Sequence, residues 1–360
     1  METLSETSEQ ASDTTVQRCF VIAEAGVNHN GSLDLAIELI DAAAEAGADA
    51  VKFQTFSAES LCLPGAPKAR YQAERTGQGD QFSMLKALEL PPDSYPTLLD
   101  RCKKAGIMFL STAFDADSVD MLVKIGMERI KIPSGEITNT PLLAHMAAKK
   151  LPLILSTGMS SLDEVHLALE VIRDTFRQKG VTRPLREMVT VLHCTSSYPT
   201  SMVDVNLRAM QTLADATGLP VGYSDHTKGT LVAPVAVGLG AKVIEKHLTL
   251  DRGLAGPDHA ASVTPPELAQ MIKDIRAVEM ALGDGEKNPR DSELENRVLV
   301  RRSIVLRRRV SAGIRLSRDD LVFLRPGTGI APSHVVEVIG RRVSRALPAG
   351  YVLRWEDLEA

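Results

Sequence analysis

Eight short β-rich runs recur between residues 20 and 247, at 20–25, 50–54, 108–112, 129–133, 153–157, 189–194, 221–224 and 242–247, with a helical pattern after each. Leu33, Ala36, Ile37 and Ile40 illustrate that pattern, as do Val165, Leu169 and Ile172: apolar residues return every three or four positions. Strands separated by helices cannot pair as hairpins, so the alternation dictates a parallel sheet. Eight units over about 265 residues match a sheet closed on itself, the α/β class with a (β/α)8 TIM barrel, spanning 18–283. Ser161 with Glu164, and Thr264 with Glu267 after Pro265 and Pro266, carry the spacing of capping boxes that start two of the helices.

The regularity ends at GDGEKNPRDSELE, which reads as an exposed linker over 284–299. Four β-like runs follow, at 303–306, 321–324, 335–339 and 351–353, implying a small β-rich domain over 300–360. About 60 residues bury little core, so this domain is expected to lean on the barrel or on a second subunit. Its charge also differs from the rest. Residues 301–360 hold twelve Arg and no Lys against six Asp plus Glu, a balance of +6, which leaves −11 elsewhere within the net −5. Such a chain has no general attraction for nucleic acid or an anionic membrane; the basic domain instead suits an anionic substrate or an acidic partner surface.

Cys19, Cys62, Cys102 and Cys194 lie too far apart for a zinc ribbon or a disulfide framework, which points to a reducing cytoplasm. Residues 1–17 are rich in Ser, Thr and Glu and read as a disordered tail rather than a signal peptide. The most apolar stretch, 231–244, is interrupted by Pro234, Gly238, Gly240 and Lys242 and is too short to span a bilayer.

A barrel delivers its chemistry at the strand ends, and the polar residues concentrate there. Glu24 ends the first run and can act as acid or base. Lys52 and Gln54, two apart, share one face of the second strand. Lys131 ends the fourth, just before Ser134, Gly135 and Glu136, and Ser156 with Thr157 ends the fifth before a capped helix. Two lysines with hydroxyls and loop amides form what a phosphate or carboxylate needs. His226 and His247 end the seventh and eighth units, where two neutral imidazoles can share one ion; His29, His193 and His259 read as structural. Without a thiolate, that pair suits Mn(II), with Mg(II) and Co(II) as alternates, completed by water and substrate oxygen. The residues thus predict an enzyme that joins a small phosphorylated or carboxylated donor to a carbonyl acceptor.

AEAGVNHNGS, ADAVKFQTF, KIPSGE, ILSTGM, HCTSSYPT, GYSDHT, EKHLTLD, GPDHAAS, RRSIV and RPGTGI follow one another from Cys19 to the C-terminus. In this order they resemble the sialic acid synthase family, which condenses phosphoenolpyruvate with an N-acetylmannosamine-type sugar. The resemblance implies an N-acetylneuraminate synthase that releases phosphate, with an antifreeze-like (SAF) domain beyond about residue 300. By matching positions, Lys52, Thr112, Lys131, Ser134, Ser156, Ser196 and Ser224 would hold phosphoenolpyruvate, and His226 and His247 the metal. Gln54, Glu136, Tyr198 and Asp258 would meet the sugar, while Glu24 and Glu136 compete for the proton transfer. Arg325 would reach into the partner's barrel, which implies a homodimer with swapped C-terminal domains. Ser196 stands where some members carry asparagine, and Arg301 where some carry an aromatic. Rival readings are a diacetamido trideoxy acceptor giving legionaminic acid, a phosphorylated N-acetylmannosamine, a metal-dependent barrel aldolase or isomerase, and a non-catalytic glycan-binding protein.

Overall fold

The computed structural model describes residues 18–359; the tail expected at 1–17 lies outside the described residues. The chain divides between Asp284 and Gly285 into two units. In the first, eight strands close into one barrel in chain order, every neighbouring pair parallel. The order is β1 (Phe20–Gly26), α1 (Leu33–Glu45), β2 (Ala50–Thr55), α2 (Ala58–Leu61), α3 (Arg70–Thr76), α4 (Gln81–Leu88), α5 (Ser94–Ala105) and β3 (Met108–Ala113). Next come α6 (Ala116–Ile125), β4 (Ile130–Ile132), α7 (Thr140–Ala148), β5 (Leu153–Ser156), α8 (Leu162–Gln178), α9 (Leu185–Met188) and β6 (Val189–Cys194). The unit ends with α10 (Arg208–Thr217), β7 (Val221–Asp225), α11 (Val232–Gly238), β8 (Val243–His247) and α12 (Pro265–Leu282).

Local chemistry sets the helix starts. Ser161 caps α8 reciprocally: its N–H donates to Glu164 at 2.7 Å and its hydroxyl accepts from the Glu164 N–H at 3.3 Å. At α12 the bonding differs from a full box, because the Glu267 carboxylate accepts from both the N–H (2.8 Å) and the hydroxyl (3.1 Å) of Thr264. The helices bury one apolar stripe, such as Ala36, Leu39, Ile40 and Ala43 of α1, against the outward residues of the strands.

Inward residues form a separate core. Ile22, Ala50, Leu110, Ile154, Leu192 and Val243 make a closed apolar floor. Gly222 of β7 belongs at the same level, where a Cβ would stand 2.3 Å from the Val243 carbonyl oxygen and 2.6 Å from Leu192, so only glycine lets β7 approach. Because side chains alternate along a strand, the next inward residue on each strand lies two positions on, toward the mouth.

The second unit has α13 (Asp291–Val300), β9 (Ser303–Leu306), β10 (Leu321–Leu324) and α14 (Val335–Val338). Strands β9 and β10 pair antiparallel over a small core that includes Ile304, Leu306, Val310, Leu316, Leu321 and Val338. Three expectations change here. Much of the presumed linker is helical: Asp291 and Glu293 lie in the first turn of α13, and Glu293 accepts from the Arg290 N–H at 2.9 Å. Residues 335–338 form a helical turn rather than a strand, led by Pro332, whose ring pre-sets the dihedral of the turn before it. Near 351–353, Val352 makes only an isolated antiparallel bridge to Val305.

No helix among the described residues is long and apolar enough to cross a membrane. All four cysteines are free.

Candidate active site

One layer above the floor, the strands present Glu24, Lys52, Thr112, Lys131, Ser156, Cys194, Ser224 and Glu245, all buried. With residues just beyond them, including Gln54, Ser134, Tyr198, His226 and His247, they enclose a cavity of about 60 Å³. Eleven residues singled out from the sequence therefore converge: Glu24, Lys52, Gln54, Thr112, Lys131, Ser134, Ser156, Tyr198, Ser224, His226 and His247. Ser196 adjoins them, its hydroxyl 3.3 Å from that of Ser134. Gly158 permits this approach, since it has φ +46° and a Cβ would meet Ser134 at 2.4 Å and Ser196 at 2.6 Å.

Two lysines and two carboxyls neutralise one another in this layer. Lys52 lies 2.5 Å from Glu24 and 3.6 Å from Glu245, and donates to Thr112 at 3.0 Å. Lys131 also lies 3.6 Å from Glu245. Burial opposes ionisation of Glu245, but Lys131 and Lys52 outweigh it and hold the carboxyl below its usual range. Glu24 moves the other way: burial raises its pKa, Lys52 only partly offsets that, and the charge of Glu245 adds to the rise. For Lys52, burial is overcome by its two carboxylate neighbours, so its pKa rises; for Lys131, burial and the like charge of Lys52 outweigh Glu245 and the weaker pull of Glu24, so its pKa falls. Glu245 is thus the settled anion of the layer, and Glu24 the carboxyl poised to exchange a proton.

The imidazole rings of His226 and His247 stand 5.6 Å apart between centroids. Burial pushes His226 down to about 4 and His247 well below its usual value, so both are neutral, the form that ligates. His226 Nδ1 lies 2.7 Å from the Thr195 carbonyl, which can only accept, so Nδ1 carries the proton and Nε2 keeps its lone pair. His247 Nδ1 is buried without a hydrogen-bond partner among the described residues. Among the described residues no group of three or more His, Cys, Asp or Glu is arranged to hold a metal ion. The pair fits an ion whose remaining positions are filled by oxygen from water or substrate, and does not fit a closed structural zinc site.

Other predicted residues lie apart. Glu136 is half-buried outside the cavity lining and accepts from Asn139 at 2.7 Å. Thr157 donates its hydroxyl to the Leu192 carbonyl at 3.0 Å, which ties β5 to β6. Asp258 is buried in the loop after β8, and burial raises its carboxyl to about 6. Arg325 is exposed on the second unit. The structural reading of the remaining histidines agrees with their bonding: His193 Nε2 meets the Val205 carbonyl at 2.8 Å, and His259 Nδ1 meets the Thr249 hydroxyl at 2.7 Å.

Sequence reasoning passed over Glu245, although it stands two residues before His247 and so on the same face of β8. It also passed over Tyr71 of α3, whose ring packs on Tyr198 with centroids 5.3 Å apart. No periodicity links Tyr71 to a strand end.

Barrel, charged layer and imidazole pair together define a (β/α)8 protein whose buried polar mouth lies at the strand ends. The NeuB family model matches residues 39–287 and the SAF domain model residues 301–359, and the chain belongs to the NeuB family. It is 54% identical over 343 residues to the N,N'-diacetyllegionaminic acid synthase of Legionella pneumophila, covering 95% of each chain. Identity to the N,N'-diacetyllegionaminic acid synthase of Campylobacter jejuni is 45%, covering 91% of this chain and 96% of that one. Among solved structures, the N-acetylneuraminic acid (sialic acid) synthetase of Leptospira borgpetersenii, in complex with citrate, superimposes with a TM-score of 0.67 at 37% identity, covering 78% of this chain and 90% of the other.

Proposed function

We propose that this enzyme condenses phosphoenolpyruvate with a diacetamido trideoxy mannose and water, giving N,N'-diacetyllegionaminic acid and phosphate. The observation that carries the chemistry is the meeting of Lys52, Lys131 and two neutral imidazoles around one cavity. The choice of acceptor is supported by 54% and 45% identity to two legionaminic acid synthases, against 37% to a sialic acid synthetase. This favours the legionaminic alternative over N-acetylmannosamine as the acceptor.

Lys52, Lys131, Ser134 and Ser196 hold the donor's phosphate and carboxylate, together with Ser224, Thr112 and Ser156; the Ser156 hydroxyl is buried without a protein partner. His226 and His247 hold a divalent ion, Mn(II) foremost. Bound there, it supplies Lewis-acid polarisation of the acceptor's aldehyde oxygen. The protein fixes the donor methylene over the aldehyde carbon, and positioning supplies much of the rate. The donor's π pair forms the carbon-carbon bond as the aldehyde π bond breaks, leaving an alkoxide that takes up a proton; water adds at the donor's second carbon, and phosphate leaves from that tetrahedral centre as its hydroxyl loses a proton and becomes the ketone. Glu24 takes the proton of that water, because its raised pKa suits a base working near neutrality. Glu136, engaged by Asn139, is the weaker candidate. Gln54, Tyr198 and Asp258 orient the acceptor.

We further propose a homodimer in which Arg325 of one chain completes the other's acceptor site. Exposed apolar side chains on both units, Leu231 and Leu239 in the first and Val298 and Leu299 in the second, support an assembly that covers them. The acceptor is tested by supplying phosphoenolpyruvate with equal amounts of the diacetamido sugar and N-acetylmannosamine, then weighing the product by mass spectrometry. Legionaminic acid is expected to dominate; N-acetylneuraminate as the main product overturns the choice.

A further inference from the structure

The stretch between β2 and α5 carries three short helices, and Tyr71 of α3 is the residue there that packs against the catalytic mouth. Its ring leans on Tyr198, whose own ring stands 4.2 Å from that of His226. Both tyrosines are half-buried. Burial raises the hydroxyl pKa of Tyr71, the charge of Asp258 raises it further, and the Gln72 side chain bonded to the phenol lowers it. Asp258 itself is 8% exposed, and burial raises its carboxyl to about 6. The acceptor-facing mouth thus combines stacked aromatic rings with a buried carboxyl in the loop after β8.

A sugar suits both kinds of group. Its ring C–H groups and methyls pack on aromatic faces, while a hydroxyl or amide N–H donates to the carboxylate. A hydroxyl pressed against the ring faces would be buried unpaired, whereas a methyl there gains contact, so the wall discriminates by chemistry as well as by size. The segments carrying Tyr71 and Asp258 also line a cavity of about 550 Å³, through Arg75 and Thr76 on one side and Gly256 and Pro257 on the other. An acetamido arm has room beside the wall.

Resting on the acceptor reading above, we propose that Tyr71 is a specificity-determining residue that forms, with Tyr198 packed beside His226, an apolar wall of the acceptor subsite. The wall favours acceptors with a methyl and a second acetamido group over those with hydroxyls in the same places.

The test titrates each substrate at saturation of the other for the parent, Tyr71→Ala and Tyr71→Phe. Tyr71→Ala is expected to raise the KM of the acceptor about tenfold or more and to lower the preference for the diacetamido sugar over N-acetylmannosamine by a similar factor. The KM of phosphoenolpyruvate should stay within about twofold, and Tyr71→Phe, which keeps the ring, within about threefold of the parent on all counts. Equal KM rises for both substrates, or an unchanged acceptor KM and preference, overturn the inference. If Tyr71→Ala melts early, Tyr71→Leu is read by the same criteria. A parent that uses only N-acetylmannosamine defeats the choice of acceptor made above, and the wall is then judged by the KM of that sugar alone.

Discussion

The floor of the barrel and its charged layer lie two residues apart on the same strands: Ile22 and Glu24, Ala50 and Lys52, Leu110 and Thr112, Ile154 and Ser156, Val243 and Glu245. Both levels are buried and share one backbone ladder, yet they are held together differently. The floor is apolar and filled by its own side chains, so it needs nothing further. The upper layer neutralises its charges internally but leaves Ser156 Oγ, Glu245 Oε2 and His247 Nδ1 buried without hydrogen-bond partners among the described residues. Unpaired buried polar atoms are costly in an empty barrel and favourable when a ligand completes them. The step from floor to mouth is thus a step from stability to binding.

Single substitutions can break that contrast. Lys131→Met should lower turnover of phosphoenolpyruvate about 10³-fold. Its melting temperature should stay near the parent's, because Glu245 keeps Lys52 as a partner. Leu110→Ala, two residues below the mouth on the neighbouring strand, should instead cost about 3 kcal/mol in denaturant unfolding while turnover stays within about threefold. If the floor variant lost activity while remaining folded, or the lysine variant lost only stability, the two levels would not be separate in function. Glu24→Gln tests the layer more finely. A fall of about 10²-fold in turnover is expected, and activity within about threefold of the parent would remove Glu24 as the base.

The smallest effect concerns pH. Burial pushes His29 down to about 4, so between that value and the ordinary value of about 6.5 the unfolded chain binds a proton that the folded chain refuses. Stability from this group is complete above pH about 6.5 and falls as acid is added toward pH about 4, by roughly 1–3 kcal/mol. Urea midpoints across that range should show the slope in the parent and a shallower one in His29→Gln; parallel slopes would mean that His29 does not carry it.

Most of the barrel was legible because parallel strands buried on both faces write themselves as short apolar runs, and each of the eight expected runs overlaps an observed strand. The site was legible wherever a polar residue ended such a run, as at Lys52, Lys131, Ser156 and His247. Glu245 was readable by the same alternation but was hidden by attention to its neighbour. Tyr71 was not readable at all, since only tertiary packing brings a helix between β2 and α5 onto Tyr198. The second unit was the least legible region: its strands are short and its core small, and a polar stretch concealed α13, whose apolar residues Leu294 and Val298 stand exposed. Composition marks exposure well and backbone conformation poorly.

The central claim is that the strand-end layer and its imidazole pair act on phosphoenolpyruvate as one site. Orthophosphate release from phosphoenolpyruvate, measured with Mn(II) and the diacetamido sugar, compares the parent with the double variant His226→Ala, His247→Ala. Sugar-dependent release from the parent and a loss of about 10³-fold or more in the double variant are predicted. Equal release from both proteins, or release from the parent that ignores the sugar, would contradict the account.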